Sequence, residues 1–157
     1  MSGGFTAAHF QPDGLLLGTG DTGNQVRIWD LKNQQVVAVF EGHTAPVTCV
    51  SFSESGTVLA TADDAEVKLW DLRKLSVVAS TTVPGGGVSR VRWDNSGRYL
   101  SVAAGNDVRV FANKTLAPIA CLTGHTAPVT GACFTAAAQS IISTSMDRSL
   151  RVWSTAQ

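Results

Sequence analysis

The chain has 157 residues, 44% of them hydrophobic, and its 12 Lys and Arg balance its 12 Asp and Glu to a net charge of zero. Such a size and apolar content support a single domain with a sizeable core and exclude a disordered composition. The balanced charge excludes broad electrostatic capture of nucleic acid or an anionic membrane. No apolar run reaches membrane-spanning length, and no secretory signal is expected in MSGGFTAAHF.

In chain order, FQPDGLLLGTG comes first as a β-like stretch broken by the turn letters QPDG. It runs into GTGDTG (residues 18–23), which matches the G-x-G-x-x-G pattern of dinucleotide-binding turns. A nucleotide site needs a helix next, so that its N-terminus meets the pyrophosphate. NQVRIWDL follows instead, a strand by pattern, so the Gly-rich piece is expected to be a turn between strands. After QVVAVF, GHTAPVT (residues 42–48) opens four short runs, approximately PVTCVSF, VLAT, EVKLW and SVVAS, with SESG between the first two. VPGGGVS then stands where GHTAPVT would be, followed by DNSG, VRVF and APIACL. GHTAPVT returns 82 residues after its first copy; TAAAQS takes the turn position, an Ala-rich patch with some helical character, and SLRVW ends the pattern. No segment keeps a 3.6-residue apolar stripe for three turns.

Trp29, Trp70 and Trp153 each end a β-like run; 41 residues separate the first two and 83 the last two, and Phe111 fills the gap. The period is therefore about 41, with units at about 1–40, 41–82, 83–123 and 124–157. Four strands per unit, with Gly-His early and Trp-Asp late, describe a propeller blade in an all-β fold. Cys49, Cys121 and Cys133 lack C-x-x-C spacing and are expected to be reduced, buried thiols of an intracellular protein.

Gly42-His43 through Trp70-Asp71, and Gly124-His125 through Trp153-Ser154, resemble the WD-repeat (WD40) β-propeller family over nearly the whole chain. The first unit keeps only Trp29-Asp30 and the third keeps neither signature. The resemblance implies two structural tetrads, His43, Thr61, Asp64 and Trp70, and His125, Ser143, Asp147 and Trp153. In each, a relay runs from indole to hydroxyl to imidazole to carboxylate. The same residues invite a reading as hydrolase triads, but a hydrolase needs an exposed nucleophile and an oxyanion hole, and a set repeated at one period is architecture. No catalytic, cofactor-binding or metal-binding residue is assigned.

FQPDGLLLGTG, QVRIWDL, LATADD, VKLWDLRKL and SMDRSLRVW resemble the C-terminal half of the WD-repeat domain in the pre-mRNA-processing factor nineteen family. This implies a nuclear protein-interaction scaffold of a splicing-associated U-box ubiquitin ligase, whose partners are splicing-complex components and ubiquitylation substrates. Neither a U-box nor a heptad segment is present in this sequence, so no ligase chemistry is expected of it. Trp70-Asp71-Leu72-Arg73 also resembles the box by which some WD-repeat proteins dock onto the adaptor of cullin-type ligases, which makes such a receptor the alternative. Partner contacts are expected on loops of one face, at Thr44, Asp63 and Arg148, with Arg73 added if the box docks, and are neither basic nor nucleotide-dependent. The family resemblance implies seven blades, so four units form an open arc. The last unit stops after its third strand, and MSGG is too short and glycine-rich to supply a fourth. Open edges that self-associate or receive missing blades are therefore expected.

Overall fold

Short runs of β-branched and aromatic residues, separated by tight turns, cannot propagate helix and instead pair with their immediate neighbours. The computed structural model describes residues 3–136 and 138–154 and contains fifteen strands in four antiparallel sheets, with no helix among the described residues. Blade 1 holds β1 (Phe5–Phe10), β2 (Leu16–Asp21), β3 (Val26–Asp30) and β4 (Gln35–Phe40). Blade 2 holds β5 (Cys49–Phe52), β6 (Val58–Ala62), β7 (Glu66–Asp71) and β8 (Ser76–Thr82). Blade 3 holds β9 (Val88–Trp93), β10 (Tyr99–Ala104), β11 (Asp107–Ala112) and β12 (Pro118–Leu122). Blade 4 holds β13 (Val129–Phe134), β14 (Ser140–Ser145) and β15 (Leu150–Ser154), three strands among the described residues. Each sheet is a simple meander whose first strand packs beside the first strand of the next, so β1, β5, β9 and β13 form the inner row of an open arc.

The same turn joins the first two strands of every blade. Gly14, Gly56 and Gly97 each occupy the left-handed region (φ 74, 66 and 66) and donate an N–H to the residue three before, at 2.8, 2.8 and 3.0 Å. In blade 4 the position falls to Ala138, with φ 52 and a 2.8 Å bond to Thr135 O. The helical expectation for TAAAQS is thereby corrected: its described residues make the blade turn, with alanine where the other blades have glycine. Ala137 within that stretch lies outside the described residues.

The core consists of three layers, each between neighbouring blades. Val26, Ile28 and Phe40 of blade 1 meet Val47, Val50, Phe52, Leu59 and Trp70 of the next unit. A second layer joins Leu69 and Val67 to Val91, Leu100, Val102 and Phe111, and a third joins Val108 and Val110 to Val129, Ala132 and Ile141. Backbone bonds stitch the same seams: Val47 N–H to Asp21 O (3.2 Å), Val88 N–H to Asp64 O (3.1 Å) and Val129 N–H to Gly105 O (2.7 Å). The glycines of GTG serve the first seam. A Cβ on Gly18 would lie 3.0 Å from the Phe52 ring, and one on Gly20 would overlap the Val47 side chain. The nucleotide-like letters therefore reflect close packing of blade 2 on β2. Of the cysteines, Cys49 is buried, whereas Cys121 and Cys133 are exposed, against the expectation that all three are buried. Cys121 lies on β12, the outer strand of blade 3, whose first four residues are all exposed, and Cys133 on the inner strand β13 follows Ala132, which is buried in the seam with blade 3, and so points the other way.

Candidate functional site

In blade 2 the β6–β7 hairpin and the loop leading into β5 close around a buried polar chain. Trp70 Nε1–H donates to Thr61 Oγ1 at 2.8 Å. Thr61 Oγ1 lies 2.7 Å from His43 Nε2, and His43 Nδ1 lies 3.0 Å from Asp63 Oδ2. With the indole donating, the hydroxyl passes its own proton to Nε2, and the neutral Nδ1–H tautomer donates to the carboxylate. Every member is satisfied, and all four are buried, Thr61 completely. Burial lowers the His43 pKa by more than the Asp63 carboxylate raises it, which keeps the ring neutral. Burial alone would raise the Asp63 pKa, but the N–H groups of Ala65 and Glu66 and the His43 ring bring it below the usual carboxylate range.

The carboxylate in this chain is Asp63, not Asp64. Asp64 is exposed and pins the next seam: its Oδ1 accepts from Gly87 N–H at 3.2 Å and its carbonyl from Val88 N–H. Counting back from the tryptophan misplaces the acid because blade 2 takes it from another place in the hairpin: Asp63 follows Thr61 by two residues and precedes Trp70 by seven, whereas Asp147 follows Ser143 by four and precedes Trp153 by six. Thr61 precedes Trp70 by nine residues, whereas Ser143 precedes Trp153 by ten. Asp63 is consequently withdrawn from the surface contacts, being 1% exposed.

Blade 4 brings together the four residues expected of it. Trp153 Nε1–H donates to Ser143 Oγ (2.8 Å), Ser143 Oγ lies 2.8 Å from His125 Nε2, and His125 Nδ1 lies 2.8 Å from Asp147 Oδ2. The Ser149 hydroxyl, the His125 ring and the N–H groups of Thr126 and Ser149 hold the Asp147 carboxyl far below the usual range. Ser143 is fully buried, so neither hydroxyl offers the exposed nucleophile that a hydrolase requires.

A partial network in blade 1 escaped the sequence reading. Trp29 Nε1–H donates to Thr19 Oγ1 at 2.8 Å, and Asp21, whose Oδ1 accepts the N–H groups of Gly23 and Gln25, pairs with Arg27 at 3.4 Å. The signal was present: Thr19 precedes Trp29 by ten residues, the spacing of Ser143 and Trp153. Blade 3 replaces the network throughout. By register Phe111 faces Leu100 as Trp70 faces Leu59, which puts Val102 in the hydroxyl position and Ala104 in the carboxylate position. All three are buried.

His43, Asp63 and Glu66 bring their ligand atoms within 4.8 Å of one another, a spacing that could hold a metal ion. Both His43 nitrogens are already engaged, and Glu66 Oε1 takes Lys68 Nζ at 2.7 Å, so the donors are occupied by protein partners. Of the surface candidates, Thr44 and Arg148 are exposed beside the tetrads of blades 2 and 4, on loops that the tetrads tie down. In Trp70-Asp71-Leu72-Arg73 the tryptophan is buried, and Asp71 Oδ1 accepts the N–H groups of Arg73 (2.8 Å) and Lys74 (3.1 Å). Asp30 does the same for Lys32 and Asn33 in blade 1, so the box is a hairpin turn that leaves Arg73 outside.

The family model described as "WD domain, G-beta repeat" matches residues 2–30, 34–71 and 116–154, well over half of the chain. Among curated relatives, Pre-mRNA-processing factor 19 of Oryza sativa subsp. japonica is 63% identical over 59 residues, covering 38% of this chain and 11% of that protein. Pre-mRNA-processing factor 19 homolog 2 of Arabidopsis thaliana is 60% identical over 58 residues, covering 37% and 11%. Pre-mRNA-processing factor 19 of Homo sapiens is 51% identical over 47 residues, covering 30% and 9%. The matched part thus spans about a tenth of the length of these relatives. With its blades, tetrads and matched repeats, the chain belongs to the WD40-repeat family.

Proposed function

We propose that this chain is a protein-binding propeller segment of a nuclear pre-mRNA-processing assembly, with no chemistry of its own. The observation that carries the reading is the identity of up to 63% to Pre-mRNA-processing factor 19 across more than a third of the chain. The geometry supports a binding role, because loops pinned by satisfied buried networks lose little conformational entropy when a partner docks. Thr44 and Arg148 are the contacts proposed on that face, and splicing-complex proteins and ubiquitylation substrates are the proposed partners. Any ubiquitin transfer would belong to a U-box elsewhere in a longer protein. Docking to a cullin adaptor is the weaker reading, since the turn consumes Trp70 and Asp71 and leaves only Arg73 to a partner.

Capture from nuclear extract on the immobilised chain tests this. Enrichment of splicing proteins that is lost when Thr44 and Arg148 are both changed to alanine supports the assignment. Enrichment of a cullin adaptor that depends on Arg73 would replace it, and splicing-protein capture indifferent to Thr44 and Arg148 would move the contact face elsewhere.

A further inference from the structure

The inner strands of the arc read FTAAHF, CVSF, VSRVRW and VTGACF. Of the chain's 12 acidic residues none lies on these strands, while β9 carries Arg90 and Arg92. The two are separated by one residue and so share a side of the strand. Val91 between them points the other way, into the seam with Cys49 and Leu100. Among the described residues neither guanidinium has a hydrogen-bond or ion-pair partner. Two hollows flank the pair. One of about 210 Å³ is bordered by residues of β1, β5 and β9, including Thr6 and Ser89, and by Thr48 just before β5, which places it on the inner side of the arc. The other, about 330 Å³, extends from the arginines to β13 and β14. The bordering hydroxyls do not compete as donors: Thr6 gives its proton to Val47 O, Thr48 to Ala62 O and Ser89 to Val129 O.

A neutral chain therefore concentrates positive charge on one inner strand, in a recess whose walls focus the field. We propose that Arg90 and Arg92 form an oxyanion-binding site on the inner side of the arc, taking a phosphate group. Two planar forks rising from one strand side can grip oxygens of a single tetrahedral anion with charge-assisted bonds. The hollows are of small-ligand size and leave no room for a nucleic-acid duplex. The site is separate from the loop face that carries Thr44 and Arg148.

His9 on β1 is a natural reporter. Its Nδ1 accepts from Phe52 N–H at 3.2 Å, and its pKa is lowered by burial and then by the charge of Arg92. The three histidine rings of the full chain are followed by NMR while inorganic phosphate replaces chloride at constant ionic strength. Expected is a saturable movement of the His9 signals, with its pKa rising as the anion offsets Arg92, while His43 and His125 stay fixed. Arg90→Gln with Arg92→Gln should weaken this response on the order of tenfold or more. Arg90 is exposed, so Arg90→Gln alone tests the point without risk to the fold. A phosphoserine peptide that displaces phosphate, where its unphosphorylated twin does not, would assign the group to a modified side chain; phosphate binding without peptide binding would assign it to a free small ion. A His9 response that does not saturate, or that survives the arginine changes, overturns the site.

Discussion

Trp70 hands its indole proton to Thr61 in a place where no water can replace the acceptor. Trp70→Phe should therefore cost about 1–3 kcal/mol from the unmatched hydroxyl, read as a lower urea midpoint. Blade 3 shows the other side of that asymmetry. With Phe111, Val102 and Ala104 all apolar, nothing is orphaned, and a full replacement of partners is close to neutral. Phe111→Trp alone should bring no gain, because its indole would meet Val102 rather than a hydroxyl; a raised midpoint would refute this. Acid should act on the same residues in two steps. The folded-state pKa of His43 is depressed, so the unfolded chain binds the extra proton first, and the associated stability is present above about pH 6.5 and lost as pH falls below it. Asp63 and Asp147 are also depressed, so their contribution is present above about pH 4 and lost on further acidification. Urea midpoints measured from pH 8 to pH 3 should show both declines, with the earlier one reduced in His43→Gln to the share that His9, also depressed, contributes over the same window. The histidine and tryptophan positions were legible because they recur with the period. The acid was not, because blade 2 draws it from just past the end of its second strand, two residues after Thr61, and blade 4 from the hairpin loop, four residues after Ser143, so no fixed count from the tryptophan finds both.

At the scale of the element, the strand runs were read from alternation and turn letters, and QPDG, SESG and DNSG all became the same left-handed turn. TAAAQS misled because composition speaks to local propensity, while the flanking strands dictate the conformation here. Ala138 at φ 52 bears a cost that glycine avoids. Ala138→Gly should thus raise the thermal midpoint, by about 1 kcal/mol of stability. An unchanged or lowered midpoint would show that the backbone there is not strained by its side chain. GTGDTG carries the matching lesson: the glycines were visible, but their reason lies in Val47 and Phe52 on the next blade, which no local reading contains.

The whole arc leaves large apolar side chains exposed at both ends, Phe5 and Phe10 on β1 and Leu150 and Val152 on β15. β15 pairs only with β14 among the described residues, so its far edge is an open template for another strand. The 157-residue chain by itself should self-associate, with light scattering after size exclusion giving a mass above 16.4 kDa that rises with concentration. A compact monomer at high concentration would show the four blades to be self-sufficient. The number of blades here was legible from the period, whereas the seams that join them were not, since they pair residues of different units, such as Asp21 with Val47 and Gly105 with Val129, that no local reading connects. Those seams have a thermodynamic consequence. Each apolar layer couples one blade to the next and to nothing farther, so the arc behaves as a short row of coupled spins rather than a single all-or-none body. A terminal unit is held by one coupling and an interior unit by two. Unfolding should then fray inward from blades 1 and 4, with β6 and β10 the last to surrender their amide protons.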